Sequence, residues 1–260
     1  MTILDKIASV KREEVDRLKR ERGLHSLKAG ASSRPPVRPF LETLVRPEKL
    51  SLIAEIKRAS PSRGLLREDF DVPFLAASYE KGGAQCLSVL TDREFFRGDL
   101  SFLGRAKAAA GLPVLRKDFI IDPLQVFEAR EADADAILLI AAMLAPGQLK
   151  DLQALAWDLG LAVLVEVHDA VELERVLSSG VKLLGINNRN LKDFRVELKT
   201  SFDLLKICPS GVPVVSESGI FTRADAEALK AAGAAAVLVG EAFMTKKDPC
   251  QAAKDLMPVS

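Results

Sequence analysis

The stretch LSLIAEIKRASPSRG, Leu50–Gly64, begins as a strand covered on both faces and ends as no core strand should. Leu50, Leu52, Ile53, Ala54 and Ile56 form the nearly continuous apolar run of a buried parallel strand. Glu55 and Lys57 interrupt that run at its end, and the two-residue period of a strand points both the same way. An unpaired charge in an apolar interior costs several kcal/mol, so two at one tip either pair or face a polar cleft. On this strand alone, a structural ion pair and a functional cleft are both open.

Outward from it, one unit keeps returning: a short apolar strand, a loop, then an Ala- and Leu-rich helix. The pattern predicts strands near 50–57, 85–90, 113–117, 136–141, 161–167, 183–187, 213–217 and 236–240. Helices are predicted near 71–82, 100–110, 123–132, 146–159, 169–178, 200–207, 222–232 and 248–257. Eight such units specify an α/β protein of the (β/α)8 TIM-barrel class. A doubly wound open sheet is the rival, but it usually carries a glycine-rich fingerprint after its first strand, and none stands here.

Residues 1–260 are expected to form one barrel domain, with 1–48 as an N-terminal helical extension. Within it, Ile3, Leu4, Ile7, Val10, Val15 and Leu18 recur at helical spacing and predict an amphipathic helix ended by Gly23, its charges solvated. A Ser- and Pro-rich loop at 29–39 and a short helix near Phe40–Val45 lead to the first strand.

Composition narrows the function. Of 260 residues 48% are hydrophobic and 28% charged, with a net charge of +1, an ordinary globular balance. That charge, with one Trp and one Tyr, argues against nucleic acid as a partner. No apolar run is long enough to span a membrane, and the N-terminus lacks a signal-peptide core. Cys86, Cys208 and Cys250 are scattered and odd in number, so neither a disulfide framework nor a zinc site is expected. A reducing cytoplasm follows as the expected compartment. No His/Asp/Glu spacing suggests a metal, and with two histidines no Ser or Cys nucleophile has an evident base.

Barrel active sites lie at the C-terminal ends of the strands. Those ends carry Glu55 and Lys57, then Arg116, Lys117 and Asp118, then Glu166 and His168, Asn187 and Asn188 with Arg189 beyond, and Ser216–Gly219. If Glu55, Lys57, Lys117, Glu166, Asn187 and Glu217 face one mouth, amines and carboxylates alternate around it, an arrangement suited to proton transfer. A ring of structural ion pairs is the alternative. Ser218-Gly219 and Gly240-Glu241 occupy loops seven and eight, a frequent phosphate site in barrels. There Glu241 is an awkward neighbour, expected to turn its side chain away and offer only its N–H. The loop RASPSRG either covers substrate or is a solvated turn, and Phe95, Phe96 and Phe119 are either core or walls for a ring. His168 supports the site from behind or caps its helix.

Seven segments in chain order, IAEIKRASPSRG (53–64), LRKDFIID (115–122), ILLIAAML (137–144), LVEVHD (164–169), LGINNRNL (184–191), VSESGI (215–220) and VLVGEAFM (237–244), closely resemble the indole-3-glycerol phosphate synthase family of tryptophan biosynthesis. The resemblance covers essentially the whole chain. It implies a phosphorylated substrate, 1-(2-carboxyphenylamino)-1-deoxyribulose 5-phosphate, converted to indole-3-glycerol phosphate, CO2 and water without metal or organic cofactor. Other enzymes of the pathway are the partners it suggests. By the same resemblance Lys117 is the general acid and Glu166 the base of dehydration, with Lys57, Glu55 and Asn187 assisting. Ser218, Gly219, Gly240, the N–H of Glu241 and Lys57 would hold phosphate. Phe119 and Phe95 would line an aromatic pocket, Glu217 belongs with the substrate-binding residues, and Ser60 and Arg189 would meet the carboxylate. Rival readings are another phosphate-handling barrel, such as phosphoribosylanthranilate isomerase, and a non-catalytic barrel that binds a phosphorylated ligand. The isomerase reaction uses a Cys/Asp pair in that family, and no Cys here falls at a strand tip.

Overall fold

In the computed structural model, which describes residues 3–46, 49–190 and 194–257, the recurring unit closes into a parallel barrel. Pro47 and Glu48 of the expected extension, and Leu191 of the LGINNRNL segment, lie outside the described residues. The strands are β1 (Ser51–Ile56), β2 (Cys86–Leu90), β3 (Val114–Lys117), β4 (Ala136–Ile140), β5 (Ala162–Val167), β6 (Leu184–Asn187), β7 (Val214–Glu217) and β8 (Ala236–Val239). Each pairs with its sequence neighbours, and β8 returns to β1 with Ile53 opposite Leu238.

Alternation along each strand sorts the side chains between two cores. Ile53, Cys86, Leu115, Leu138, Leu164, Val215 and Leu238 fill the barrel interior. Leu52, Ala54, Ile56, Leu87 and Val89 face the surrounding helices. The same alternation lifts the interior-facing residues at the strand ends to the barrel mouth. Five of the helices that follow strands begin at side-chain caps: Asp71, Asp122, Asp169, Thr222 and Asp248 each accept a backbone N–H in the first turn. After Asp71, Asp122 and Asp248 a proline near the first helical position reinforces the start.

The extension differs from expectation. Helix α1 (Ile3–Ser32) does not stop at Gly23 but kinks there, at φ 55 and ψ 155, and continues through residues expected in the loop. The second segment persists because Leu27 and Ala31, one turn apart, bury against Leu124 and Phe127. Nor are all its charges solvated. Lys11 falls on the apolar stripe four residues after Ile7 and is buried, its Nζ 2.6 Å from Asp92 Oδ2, 2.9 Å from Asp118 Oδ1 and 2.9 Å from Glu14 Oε2. The short helix α2 (Phe40–Leu44) plugs the other end, with Phe40 and Leu44 packed into the interior cluster and the Leu44 carbonyl accepting from Ser51 Oγ at 2.8 Å. The extension therefore touches both mouths of the barrel, α1 above and α2 below.

Candidate active site

Six strand-tip residues, Glu55, Lys57, Lys117, Glu166, Asn187 and Glu217, line one cleft at the C-terminal end of the barrel. Lys117 is its hub. Its Nζ lies 3.3 Å from Glu166 Oε2 and 3.2 Å from Glu217 Oε2. Beside it Lys57 Nζ donates to Glu55 Oε1 at 2.6 Å. Asn187 Oδ1 accepts the Arg189 backbone N–H at 3.0 Å, anchoring the loop after β6. Two glycines make room for the carboxylates. A Cβ at Gly185 would overlap Glu217 Oε1, and one at Gly240 would lie 2.5 Å from Glu55 Oε1.

Burial and charge oppose each other throughout this cluster. Burial works against the Lys117 ammonium, but Glu217, Glu166 and Glu55 outweigh it and hold its pKa above the ordinary lysine value. Burial likewise disfavours the Glu166 carboxylate, and Lys117, His168 and a hydrogen bond with Asn187 more than compensate, so its pKa falls. Glu55 falls too, chiefly through Lys57 and Lys117 acting against its burial. Glu217 goes the other way, to about 8, because burial and the charges of Glu166 and Glu55 prevail over Lys117. The two carboxylates around one ammonium are thus driven apart: Glu166 stays anionic while Glu217 retains a proton at neutral pH.

At one end of the cleft lie the glycine loops. Ser218 and Gly219 both have positive φ, at 68° and 79°. Asn188 fixes this turn, donating through Nδ2 to Ser216 Oγ at 3.0 Å, the Glu217 carbonyl at 3.0 Å and the Ser218 carbonyl at 3.1 Å. Gly240 precedes a short helix, Glu241–Met244. The Glu241 carboxylate reaches the arginines of neighbouring loops, 3.0 Å from Arg63 Nε and 3.7 Å from Arg189 Nη2. Ser60 and Ser62 of loop one also line the cleft, and Ser62 Oγ lies 3.5 Å from Arg189 Nη1.

The opposite end is aromatic and aliphatic. Phe119 lines it together with Phe96, their ring centroids 6.1 Å apart. Phe95, expected in this role, is not among the lining residues, and its ring lies 6.0 Å from Lys6 Nζ. The one-turn helix Arg93–Phe96, capped by Asp92, points successive side chains in different directions, so only one of the two phenylalanines faces inward. Ile3, Leu4 and Ile7 of α1 complete this wall, a contribution strand-tip reasoning missed although their apolar spacing was visible. Arg116 points away from the mouth, as alternation along β3 requires, and pairs with Asp118 at 3.1 Å and Glu128 at 2.9 Å.

A closed (β/α)8 barrel whose strand tips carry paired amines and carboxylates above a glycine-built turn defines an acid–base enzyme scaffold. The profile of the indole-3-glycerol phosphate synthase family matches residues 4–256. The indole-3-glycerol phosphate synthase of Variovorax paradoxus is 50% identical over 257 residues, covering 96% of this chain and 97% of that protein. That of Desulfotalea psychrophila is 52% identical over 243 residues, 93% of each. The chain belongs to the indole-3-glycerol phosphate synthase family. Among solved structures, N-acetylmannosamine-6-phosphate 2-epimerase from Clostridium perfringens shares the fold at 17% identity and a TM-score of 0.61, covering 85% of this chain and 96% of its own. A 3-hexulose-6-phosphate synthase shares it at 18% identity and 0.60, covering 80% and 98%.

Proposed function

We propose that this chain is a carboxy-lyase that turns 1-(2-carboxyphenylamino)-1-deoxyribulose 5-phosphate into indole-3-glycerol phosphate, CO2 and water, with Lys117 as acid and Glu166 as base. The observation that carries the reading is the cleft floor, where one ammonium bridges two carboxylates from different strands. The aryl carbon that bears the carboxylate attacks the substrate ketone, and Lys117 delivers a proton to the ketone oxygen. A nascent alkoxide is more basic than any amine, so an ammonium with a raised pKa still gives up its proton to it. The ring C–C(carboxylate) bond then breaks, CO2 departs, and the electron pair restores aromaticity. Dehydration removes the new hydroxyl as water, its departing oxygen taking a proton from an ammonium of the cleft, Lys57 or a reprotonated Lys117, while Glu166 takes the proton lost from the ring system.

Lys57, paired with Glu55, stands at the phosphate end and serves either as an anion ligand or as a second acid. Asn187 holds Glu166 and the loop that carries Arg189. Ser218, Gly219, Gly240 and the backbone N–H of Glu241 form the phosphate cradle, and Ser60 and Arg189 receive the substrate carboxylate. Phe119 and Phe96, with the apolar wall of α1, take the aryl ring. General acid–base catalysis contributes roughly 10²–10⁴-fold, and alignment of a flexible open-chain sugar against the ring adds more. This chemistry belongs to the cytoplasm, where a reducing thiol pool suits three free cysteines, and other enzymes of tryptophan biosynthesis are the partners in view. The test is incubation of the protein with this substrate while indole fluorescence and CO2 are followed. Both rise together if the reading holds; isomerisation without CO2, or binding without turnover, overturns it.

A further inference from the structure

We infer that His168 is a positioning residue for Glu166: backed by Glu172, it clamps one carboxylate oxygen and leaves the other to the cleft. The inference rests on Glu166 acting as the base proposed above. The two oxygens of Glu166 are divided between partners, with Oε1 3.3 Å from His168 Nε2 and Oε2 3.3 Å from Lys117 Nζ. On the far side of the imidazole, Nδ1 lies 3.1 Å from Glu172 Oε2, and that same oxygen accepts the His168 backbone N–H at 2.9 Å. Glu172 stands in the first turn of the helix Ala170–Leu177, where its own N–H donates to the cap Asp169 at 2.8 Å. The ring is therefore tied to Glu172 through Nδ1 and its own backbone N–H, while Nε2, with no hydrogen-bond partner of its own, meets Glu166 Oε1 as an ion-pair contact.

A neutral imidazole has one N–H and would turn a lone pair toward one of two carboxylates. Facing an anion at each nitrogen, this ring carries both protons. Burial opposes that charge, yet Glu166 and Glu172 prevail and raise the His168 pKa to about 10. The result is a line of alternating charge, Glu172–His168–Glu166–Lys117, that runs from a helix start to the cleft floor. The other groups around it are accounted for. On the neighbouring strands Ile140 and Gly185 stand opposite Glu166 and carry no charge. Arg175, on the same helix as Glu172, donates to the Ala141 carbonyl. Asn187 hydrogen-bonds Glu166, Glu55 is the remaining anion that acts on the cluster, and Glu217 holds its proton at neutral pH. Removal of the imidazolium takes away one of the stabilisers of the Glu166 anion, so Glu166 should protonate at higher pH. It also frees the carboxylate to rotate.

The experiment compares kcat and its pH profile for wild type, His168→Leu, His168→Gln, Glu172→Gln and Glu166→Gln, with melting temperature followed in parallel. His168→Leu should raise the acid limb of kcat by about one pH unit and lower kcat at neutral pH about tenfold, with KM nearly unchanged. His168→Gln, which keeps an N–H donor, should recover part of the rate. Glu172→Gln should move the limb the same way by less, and it carries the test if the leucine variant does not fold. The chain has two histidines, so imidazole proton resonances are assigned by the set lost in His168→Leu, and the His168 ring should remain protonated through pH 8. A wild-type acid limb and kcat in the His168 and Glu172 variants, with only the melting temperature lowered, would overturn this inference and reduce the pair to a clip on the helix. Full activity in Glu166→Gln would overturn the base assignment and this inference together.

Discussion

Lys117 Nζ lies 3.2 Å from Oε2 of Glu217, a contact that joins β3 to β7 across the open floor of the barrel. With Glu166 at 3.3 Å on the other side and Lys57 paired to Glu55 at 2.6 Å, two ammonium groups and one retained proton make three buried carboxyl groups tenable in one cleft. Around this contact, burial and the charges of Glu166 and Glu55 keep Glu217 protonated against Lys117, while Lys117 and His168 keep Glu166 anionic, and most of what can be tested follows from that split.

Lys117→Met should abolish ring closure, with a loss of at least about 10²-fold in kcat, while substrate still binds. Glu166, deprived of its main counter-charge, should then titrate at a higher pH. Single-turnover fluorescence separates chemistry from binding. Undiminished turnover removes Lys117 from the mechanism.

Glu217 makes stability fall as pH rises. Its folded pKa, about 8, lies above the roughly 4.3 of an unfolded glutamate, so folding takes up a proton between those values. The associated stabilisation is complete below the unfolded pKa and is lost as pH climbs through about 8. Glu217→Gln keeps the shape and removes the titration. Urea midpoints at acid, neutral and alkaline pH should therefore decline less in the variant than in the wild type, and parallel declines would contradict the assignment.

Lys11→Met should strip the cation from Asp92 and Asp118 while they remain buried. Breaking such a cluster from one side costs about 3–5 kcal/mol. Because Ile3, Leu4 and Ile7 ride on the same helix, KM for the substrate should rise as well. Denaturant unfolding and KM measured together check this, and an unchanged KM would separate α1 from substrate binding.

Gly185→Ala should leave a folded barrel with a damaged site. The added Cβ meets Glu217 Oε1 and must displace that carboxylate from Lys117. A fall of about tenfold in kcat with a small change in melting temperature is expected; wild-type kcat would show that the placement of Glu217 is immaterial.

Glu241→Ser should tighten anion binding. The carboxylate stands beside the proposed phosphate cradle and engages Arg63 and Arg189. Its removal frees both guanidinium groups, and inhibition by inorganic phosphate should strengthen by about twofold to fivefold, more at low salt. Weaker inhibition would mean that Glu241 organises the site.

Much of this protein is legible in its residues alone. Apolar strands with charged ends, and Asp or Asp-Pro helix starts, encode the barrel within a few positions of each element. Because every strand of a (β/α)8 barrel points the same way, knowing the strand ends is nearly enough to gather Glu55, Lys57, Lys117, Glu166, Asn187 and Glu217 around one mouth. What local pattern does not carry is rotation and long-range contact. Whether Phe95 or Phe96 turns inward depends on the phase of a single helical turn. The continuation of α1 past Gly23 depends on Leu27 and Ala31 finding Phe127. Burial of Lys11 required Asp92 and Asp118 to converge on it from two other loops. The split between Glu166 and Glu217 exists only once closure of the barrel buries both acids together beside Lys117, 49 residues from Glu166 along the chain. Periodicity and capping act over one or two turns, so the sequence alone suffices for the elements of the barrel and most of their ends. Charge and packing act over ångströms in space, and only chain closure decides which side chains share them.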